Sequence, residues 1–250
     1  MATVNEVGSL RLGVLQLAAT WDRPGDVLER VDAWLGAGPE ADLVLLPEAA
    51  LTGYVSPDLD FDLTRFAEAP GGPTAQALAD LARRHATTLV APVIRARGHA
   101  RYNAMLAVGP DGREAFVYEK RHPWYPETWA TAGTEPHPVV TIAGVRVTIA
   151  ICFDLQFVAD DASEALAAAE LLLFPSAWVD EDGTRVRTLT ALAQRFDLWV
   201  AGANWAPGDV AIHGQGDSCI LDPTGRVVAQ LGLEEGRIDA LVTPSRRPPR

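Results

Sequence analysis

The sequence predicts an α/β fold, a four-layer α-β-β-α sandwich of two mixed sheets with helices on the outer faces. Three observations predict it. Strand-like apolar runs alternate with segments of helical apolar spacing in the first part of the chain. Hairpin-like pairs of strands then interrupt that alternation, and this mixed order favours stacked sheets over one doubly wound parallel sheet. Finally, three apolar runs each end beside one reactive side chain: Leu43-Val44-Leu45-Leu46-Pro47-Glu48, Val117-Tyr118-Glu119-Lys120 and Val147-Thr148-Ile149-Ala150-Ile151-Cys152. Ligands of open α/β sheets gather beyond the carboxyl ends of strands, so a carboxylate, an ammonium and a thiol are placed to meet there.

Taken in order, residues 12–18 suit a first strand, and residues 26–35 carry apolar side chains at helical spacing before Gly36 and Gly38 stop them. Residues 42–46 read as the second strand, 73–85 as a helix opened by Pro73, and 88–94 as a strand. Residues 102–108 and 114–118, joined by Gly109-Pro110-Asp111-Gly112-Arg113, form a hairpin. A second pair, 139–142 and 145–151, turns at Ala143-Gly144. Residues 164–172 read as a helix leading into a short strand at 172–174, followed by a helix at 184–196 and a strand at 199–203. Strands at 218–221, 227–231 and 238–242 close the chain. No repeat or linker divides it, so a single domain spanning 1–250 is expected, with its core at about 10–243 and short tails.

Composition narrows the class. A chain of 250 residues with 48% hydrophobic content supports one substantial core. The net charge of -12 argues against a nucleic-acid partner, because phosphate backbones are held by clustered Lys and Arg. The one dense basic stretch, Arg246-Arg247-Pro248-Pro249-Arg250, reads as a terminal tail. No apolar run has the roughly 20 residues needed to span a bilayer, and the segment from Met1 to Glu6 lacks the pattern of a secretory signal. No membrane partner is expected, and the cytoplasm is the expected compartment. Cys152 and Cys219 belong to no Cys-x-x-Cys pair, so two thiols are expected and no disulfide or zinc site. Cys219 reads as a small core residue.

Cys152 is the candidate nucleophile. A thiol attacks carbonyl or nitrile carbon as thiolate, which calls for a base or a neighbouring cation. Of the five histidines only His122, two residues after Lys120, lies in a segment that reads as a site. A Cys-His hydrolase is therefore one reading, although no cysteine-protease signature surrounds Cys152.

Three segments carry a resemblance: Leu46-Pro47-Glu48-Ala49-Ala50-Leu51-Thr52-Gly53-Tyr54, Tyr118-Glu119-Lys120-Arg121-His122 and Ile149-Ala150-Ile151-Cys152-Phe153-Asp154-Leu155. Together and in this order they resemble the signature blocks of the nitrilase superfamily of carbon–nitrogen hydrolases. Tyr102-Asn103-Ala104, Phe174-Pro175-Ser176-Ala177-Trp178, Ala203-Asn204, Gly216-Asp217-Ser218 and Asp222-Pro223-Thr224-Gly225 extend the likeness from about Leu12 to Val242. The resemblance implies a triad of Glu48 as general base, Lys120 as electrostatic partner and Cys152 as thioester-forming nucleophile. It implies that the Phe153 N–H helps bind the oxyanion and that Glu127 orients Lys120 and the substrate nitrogen. Tyr54, Trp124 and Trp178 become candidate substrate-binding walls, and Asn103 is expected to secure backbone near the site. No metal or organic cofactor is implied, and a homodimer or higher homo-oligomer is. One departure concerns that assembly: Leu192-Ala193-Gln194-Arg195-Phe196 stands where the family carries Arg-Ala, any residue, Glu-Asn.

Within the family, Cys152-Phe153-Asp154 sides with amide-cleaving branches, whereas nitrilases follow the cysteine with Trp-Glu. The chain also continues only briefly past Val242, unlike the larger aliphatic amidases. A small-amide hydrolase of omega-amidase-like type is the first expectation. Nitrilase and N-carbamoyl amino acid amidohydrolase are alternatives within the same chemistry, and a non-catalytic small-molecule sensor is the alternative outside it.

Overall fold

A computed structural model describes residues 8–179 and 182–244. The basic tail at 246–250 and the opening segment read for a signal at 1–6 lie outside the described residues. The chain builds two six-stranded sheets, in the orders β12-β1-β2-β3-β4-β5 and β11-β10-β9-β8-β7-β6. The first comprises β1 (Leu10–Gln16), β2 (Leu43–Leu45), β3 (Thr88–Arg97), β4 (Ala100–Val108), β5 (Glu114–Glu119) and β12 (Gly236–Val242). The second comprises β6 (Val140–Ile142), β7 (Val145–Ile149), β8 (Leu171–Pro175), β9 (Trp199–Ala203), β10 (Cys219–Leu221) and β11 (Val227–Gln230). Each has three parallel strands at its centre, β1-β2-β3 and β7-β8-β9, flanked by antiparallel ones.

Strands covered on both faces must be apolar throughout, and β2 (Leu-Val-Leu) and β8 (Leu-Leu-Leu-Phe-Pro) are buried at every position. One face of each sheet meets the other through Leu12, Leu45, Met105, Val147, Ile149, Leu171 and Ala201. The opposite face of the first sheet is covered by α1 (Pro24–Ala37) and α2 (Pro73–His85). Val27, Val31 and Leu35 of α1 recur every four residues and so form one buried stripe. The outer face of the second sheet packs on α3 (Val158–Asp161), α4 (Ser163–Ala168) and α5 (Thr184–Phe196). The layers are therefore α-β-β-α, as expected from the sequence.

Several boundaries differ from that expectation, most by one or two residues, and three differ by more or bear on the site. The strand read at 88–94 continues to Arg97 and pairs with β4 from Leu89↔Val108 to Arg97↔Ala100, a long hairpin whose turn is set by Gly98 at φ 58°. The helix read at 164–172 ends at Ala168, because Leu171 to Leu173 are taken as a parallel strand beside β7. The strand read to Ile151 ends at Ile149, and Cys152 opens a short 3-10 turn, Cys152–Gln156. That last departure creates the site.

Candidate active site

Each reactive side chain leaves its sheet at or just beyond a strand end. Glu48 follows β2, Lys120 directly follows β5, Cys152 follows β7, and Ala177 and Trp178 follow β8. β2 and β8 are the central strands of the two parallel triples, so the segments after them face one another across the sandwich. Their contact is direct: the Ala177 N–H donates to Glu48 Oε2 over 2.9 Å.

Lys120 Nζ donates to Glu48 Oε1 at 2.7 Å and to Glu127 Oε2 at 2.8 Å. All three are shielded from solvent, with 1% of Lys120 and 2% of each glutamate exposed. Two negative charges and one positive charge out of water cost several kcal/mol per ion unless paired and hydrogen-bonded. Both conditions are met. Asn103 Nδ2, from β4, donates to Glu48 Oε1 at 2.8 Å and to Glu127 Oε1 at 2.6 Å, and the Trp124 N–H donates to Glu127 Oε2 at 2.6 Å. Burial alone would lower the Lys120 pKa, but the two carboxylates outweigh it and hold the ammonium above its ordinary value. Burial raises the Glu127 pKa, opposed by Lys120 and reinforced by Glu48.

Cys152 is 7% exposed and adopts φ 45°, a left-handed conformation that costs a β-carbon residue on the order of 1–2 kcal/mol. Asp154 holds the chain in it. Its Oδ2 accepts the Ile151 N–H at 3.0 Å and the Tyr118 hydroxyl at 2.8 Å, while Oδ1 accepts the His122 N–H at 2.8 Å. Tyr118 lies on β5, so one buried carboxylate ties the turn of the second sheet to the first. Burial, reinforced by the Glu48 charge, pushes the Cys152 thiol well above its ordinary pKa, with Lys120 and the Ala177 N–H opposing in part. Burial thus favours the neutral thiol at Cys152, within range of the Glu48 charge. The Phe153 N–H belongs to the first turn of the 3-10 segment, where backbone donors have no acceptor within the helix.

Beside the sulfur lies a cavity of about 220 Å³, lined by Trp124, Cys152, Phe153, Gln156, Ala177, Trp178 and Val179. Trp124 and Trp178, two of the residues read as substrate-side, supply part of its aromatic surface. Trp178 is fixed by Asn204, whose Oδ1 accepts the Trp178 N–H at 2.8 Å. Tyr54 stands one layer back, stacked on Trp124 at a centroid distance of 6.2 Å and 6.0 Å from Lys120 Nζ. Burial, and then the charges of Glu127 and Glu48, drive its hydroxyl pKa well up, so it stays a neutral phenol.

His122 does not join the cluster: its ring bonds Asp161 at 2.7 Å and stacks on Phe157 at 4.1 Å. Asn103 does more than the sequence suggested, since it bridges two carboxylates rather than securing backbone. Asp154 was legible only as a mark of the amidase branch, and the Ala177 N–H carries no side-chain signal at all.

The chain matches the carbon-nitrogen hydrolase family over residues 11–247. The chain belongs to the carbon–nitrogen hydrolase family. This hydrolase is 31% identical over 245 residues to a "hydrolase in pqqF 5'region" of Pseudomonas protegens, covering 94% of this chain and 84% of that one. It is 29% identical to an (R)-stereoselective amidase of Pseudomonas sp., covering 91% and 83%, and 26% identical to 2-oxoglutaramate amidase of Bacillus subtilis, covering 92% and 89%. An amidase structure from Nesterenkonia sp. superimposes with a TM-score of 0.84 at 23% identity, over 97% of this chain and 93% of that one. The likeness to that structure shows the fold of the hydrolase. Among its described residues no helix is long and apolar enough to cross a membrane.

Proposed function

We propose that the protein hydrolyses the C–N bond of a small carboxamide through a thioester on Cys152. The observation that carries this reading is the position of Glu48, which accepts hydrogen bonds from Lys120, Asn103 and the Ala177 N–H while its charge reaches the Cys152 thiol. As Sγ bonds to the carbonyl carbon, Glu48 takes the thiol proton, so no free thiolate need accumulate in a pocket that disfavours it. The negative charge moves to the carbonyl oxygen, where the Lys120 ammonium and the Phe153 N–H stabilise it. The proton held by Glu48 passes to the departing nitrogen, the C–N bond breaks, and ammonia or an amine leaves. Glu48 then removes a proton from water, which attacks the thioester and releases the acid and the thiol. Glu127 orients Lys120 and accepts a hydrogen bond from the amide nitrogen, and Asn103 is a positioning residue for both carboxylates.

The resemblance also suggests an assembly of two or more copies, and a cytoplasmic location is proposed beside it. Size-exclusion chromatography with light scattering tests the first: a monomer at every concentration overturns it. The reaction is tested by incubating wild type and Cys152→Ala with primary amides, carbamoyl amino acids and nitriles while measuring ammonia. Amide turnover that Cys152→Ala abolishes is the expected result. Turnover of nitriles or carbamoyl compounds alone overturns the amide assignment, and unchanged activity in Cys152→Ala overturns the mechanism.

A further inference from the structure

We propose that the acyl group this site accepts is uncharged and largely apolar, so that the enzyme discriminates against monoamides of dicarboxylic acids. This rests on the amidase reading above and narrows it to a substrate class. The omega-amidase-like expectation requires the opposite, since such a substrate carries a free carboxylate at the far end of its acyl chain.

The lining of the cavity decides between them. Trp124, Phe153, Trp178 and Val179 offer aromatic and aliphatic surface, and the polar groups of the described lining beyond the sulfur are neutral: the Gln156 amide and the indole N–H groups, that of Trp178 buried without a partner. Among the described residues, no Lys or Arg lines the cavity. The cations nearest in sequence or structure are already engaged. Lys120 is shared by two carboxylates, leaving that cluster with a net negative charge. Arg121 donates to the carbonyls of Thr134 and Glu135, and His122 pairs with Asp161.

A carboxylate entering this cavity would lose hydration, gain no cationic partner, and face the negative charge of Glu48 and Glu127. An alkyl or small aryl chain would instead exchange water for the tryptophan faces. The volume of about 220 Å³ equals the share of about seven liquid waters, room for an acyl chain of several carbons. Gln156 is exposed at the edge of the cavity and can give or accept one hydrogen bond, which suits an ether, hydroxyl or amide but does not neutralise an anion.

The test compares kcat/KM for butyramide and isobutyramide with that for succinamate and glutaramate, by ammonia release, in wild type and in Gln156→Lys and Val179→Lys. The neutral amides are expected to win by about 100-fold or more in wild type, the scale on which an unmatched buried group is rejected. Either lysine variant should narrow that ratio by roughly tenfold, chiefly by raising kcat/KM for the anionic pair. Equal or better turnover of succinamate or glutaramate by wild type overturns the proposal. So does a ratio that neither folded lysine variant moves. If no amide of either kind is turned over and no acyl adduct forms on Cys152, it is the amidase reading that has failed, and this inference falls with it.

Discussion

The two sheets share one strand pattern, three parallel strands flanked by antiparallel ones, yet they bring different things to the site. The first supplies charge: Glu48 after β2, Lys120 after β5, and Asn103 on β4 beneath both, all fixed by hydrogen bonds and buried. The second supplies the thiol, a left-handed turn and an apolar cavity, with its backbone donating the one hydrogen bond that reaches across to Glu48. One half is therefore preorganised by electrostatics and the other by backbone conformation. In the proposed mechanism, reactivity arises only where they meet, because neither a buried carboxylate nor a high-pKa thiol is active alone.

The largest effect comes from cutting that meeting point. Glu48→Gln keeps the shape and leaves Lys120 paired with Glu127, but it cannot take a proton. Its kcat is expected to fall by about four orders of magnitude or more, with a melting temperature near wild type. A residual rate within tenfold of wild type would remove Glu48 from the role of base.

Next is the charge cluster of the first sheet. Lys120→Met leaves two buried carboxylates facing each other, and breaking a buried pair costs about 3–5 kcal/mol. Urea unfolding is expected to read a loss of that size, together with loss of turnover. A stability unchanged within error would mean that the ammonium does not hold the first sheet's side of the site.

The second sheet is expected to respond differently. Asp154→Asn weakens the hold on the Ile151 N–H, the His122 N–H and the Tyr118 hydroxyl, at a cost of roughly 1–3 kcal/mol. If the turn positions the nucleophile, kcat drops while KM stays within a few-fold, and acylation by an activated ester slows in step. Equal changes in kcat and KM would instead mark Asp154 as structural only.

The contrast between the halves also predicts a titration. Because burial raises the Cys152 pKa above its ordinary value near 9, the difference in thiolate ultraviolet absorbance between wild type and Cys152→Ala should be absent at neutral pH. It should grow only on the alkaline side. A thiolate band already present near pH 7 would mean that Lys120, rather than Glu48, controls the sulfur.

The smallest effect lies between the sheets, at His137. Its Nδ1 faces the Ile149 carbonyl at 2.8 Å and burial lowers its pKa below the ordinary 6.5. A histidine with a depressed folded-state pKa contributes stability above its unfolded pKa, and that contribution is lost as pH falls through 6.5 towards the folded value. Melting temperature should therefore fall more steeply with acid in wild type than in His137→Gln. Parallel pH profiles would exclude His137 as a source of acid sensitivity.

How much could be read from sequence follows the same division. Glu48, Lys120 and Cys152 were legible because each stands next to an apolar run that only a buried strand explains. Glu127 was legible through the resemblance. The layers followed from the mixed order of elements, in which hairpin-like pairs interrupt the alternation of strands and helices. What escaped depends on pairing across the chain. The Ala177 N–H reaches Glu48 over a separation of 129 residues, and no local pattern encodes such a contact. Asn103 looked like a backbone anchor because its two carboxylate partners come from different loops. The early end of β7 was hidden because Asp154 takes the Ile151 N–H back from the strand direction, a competition that apolar periodicity does not register.

The central claim is that the thiol of the second sheet is the covalent nucleophile for a carbonyl activated by the charges of the first. Mass spectrometry of protein quenched during turnover of butyramide tests it most directly. The account predicts an acyl adduct on the Cys152 peptide that disappears as substrate is exhausted, and no adduct or turnover in Cys152→Ala. Steady release of ammonia by a Cys152→Ala protein, with no acylated peptide in wild type, would contradict it.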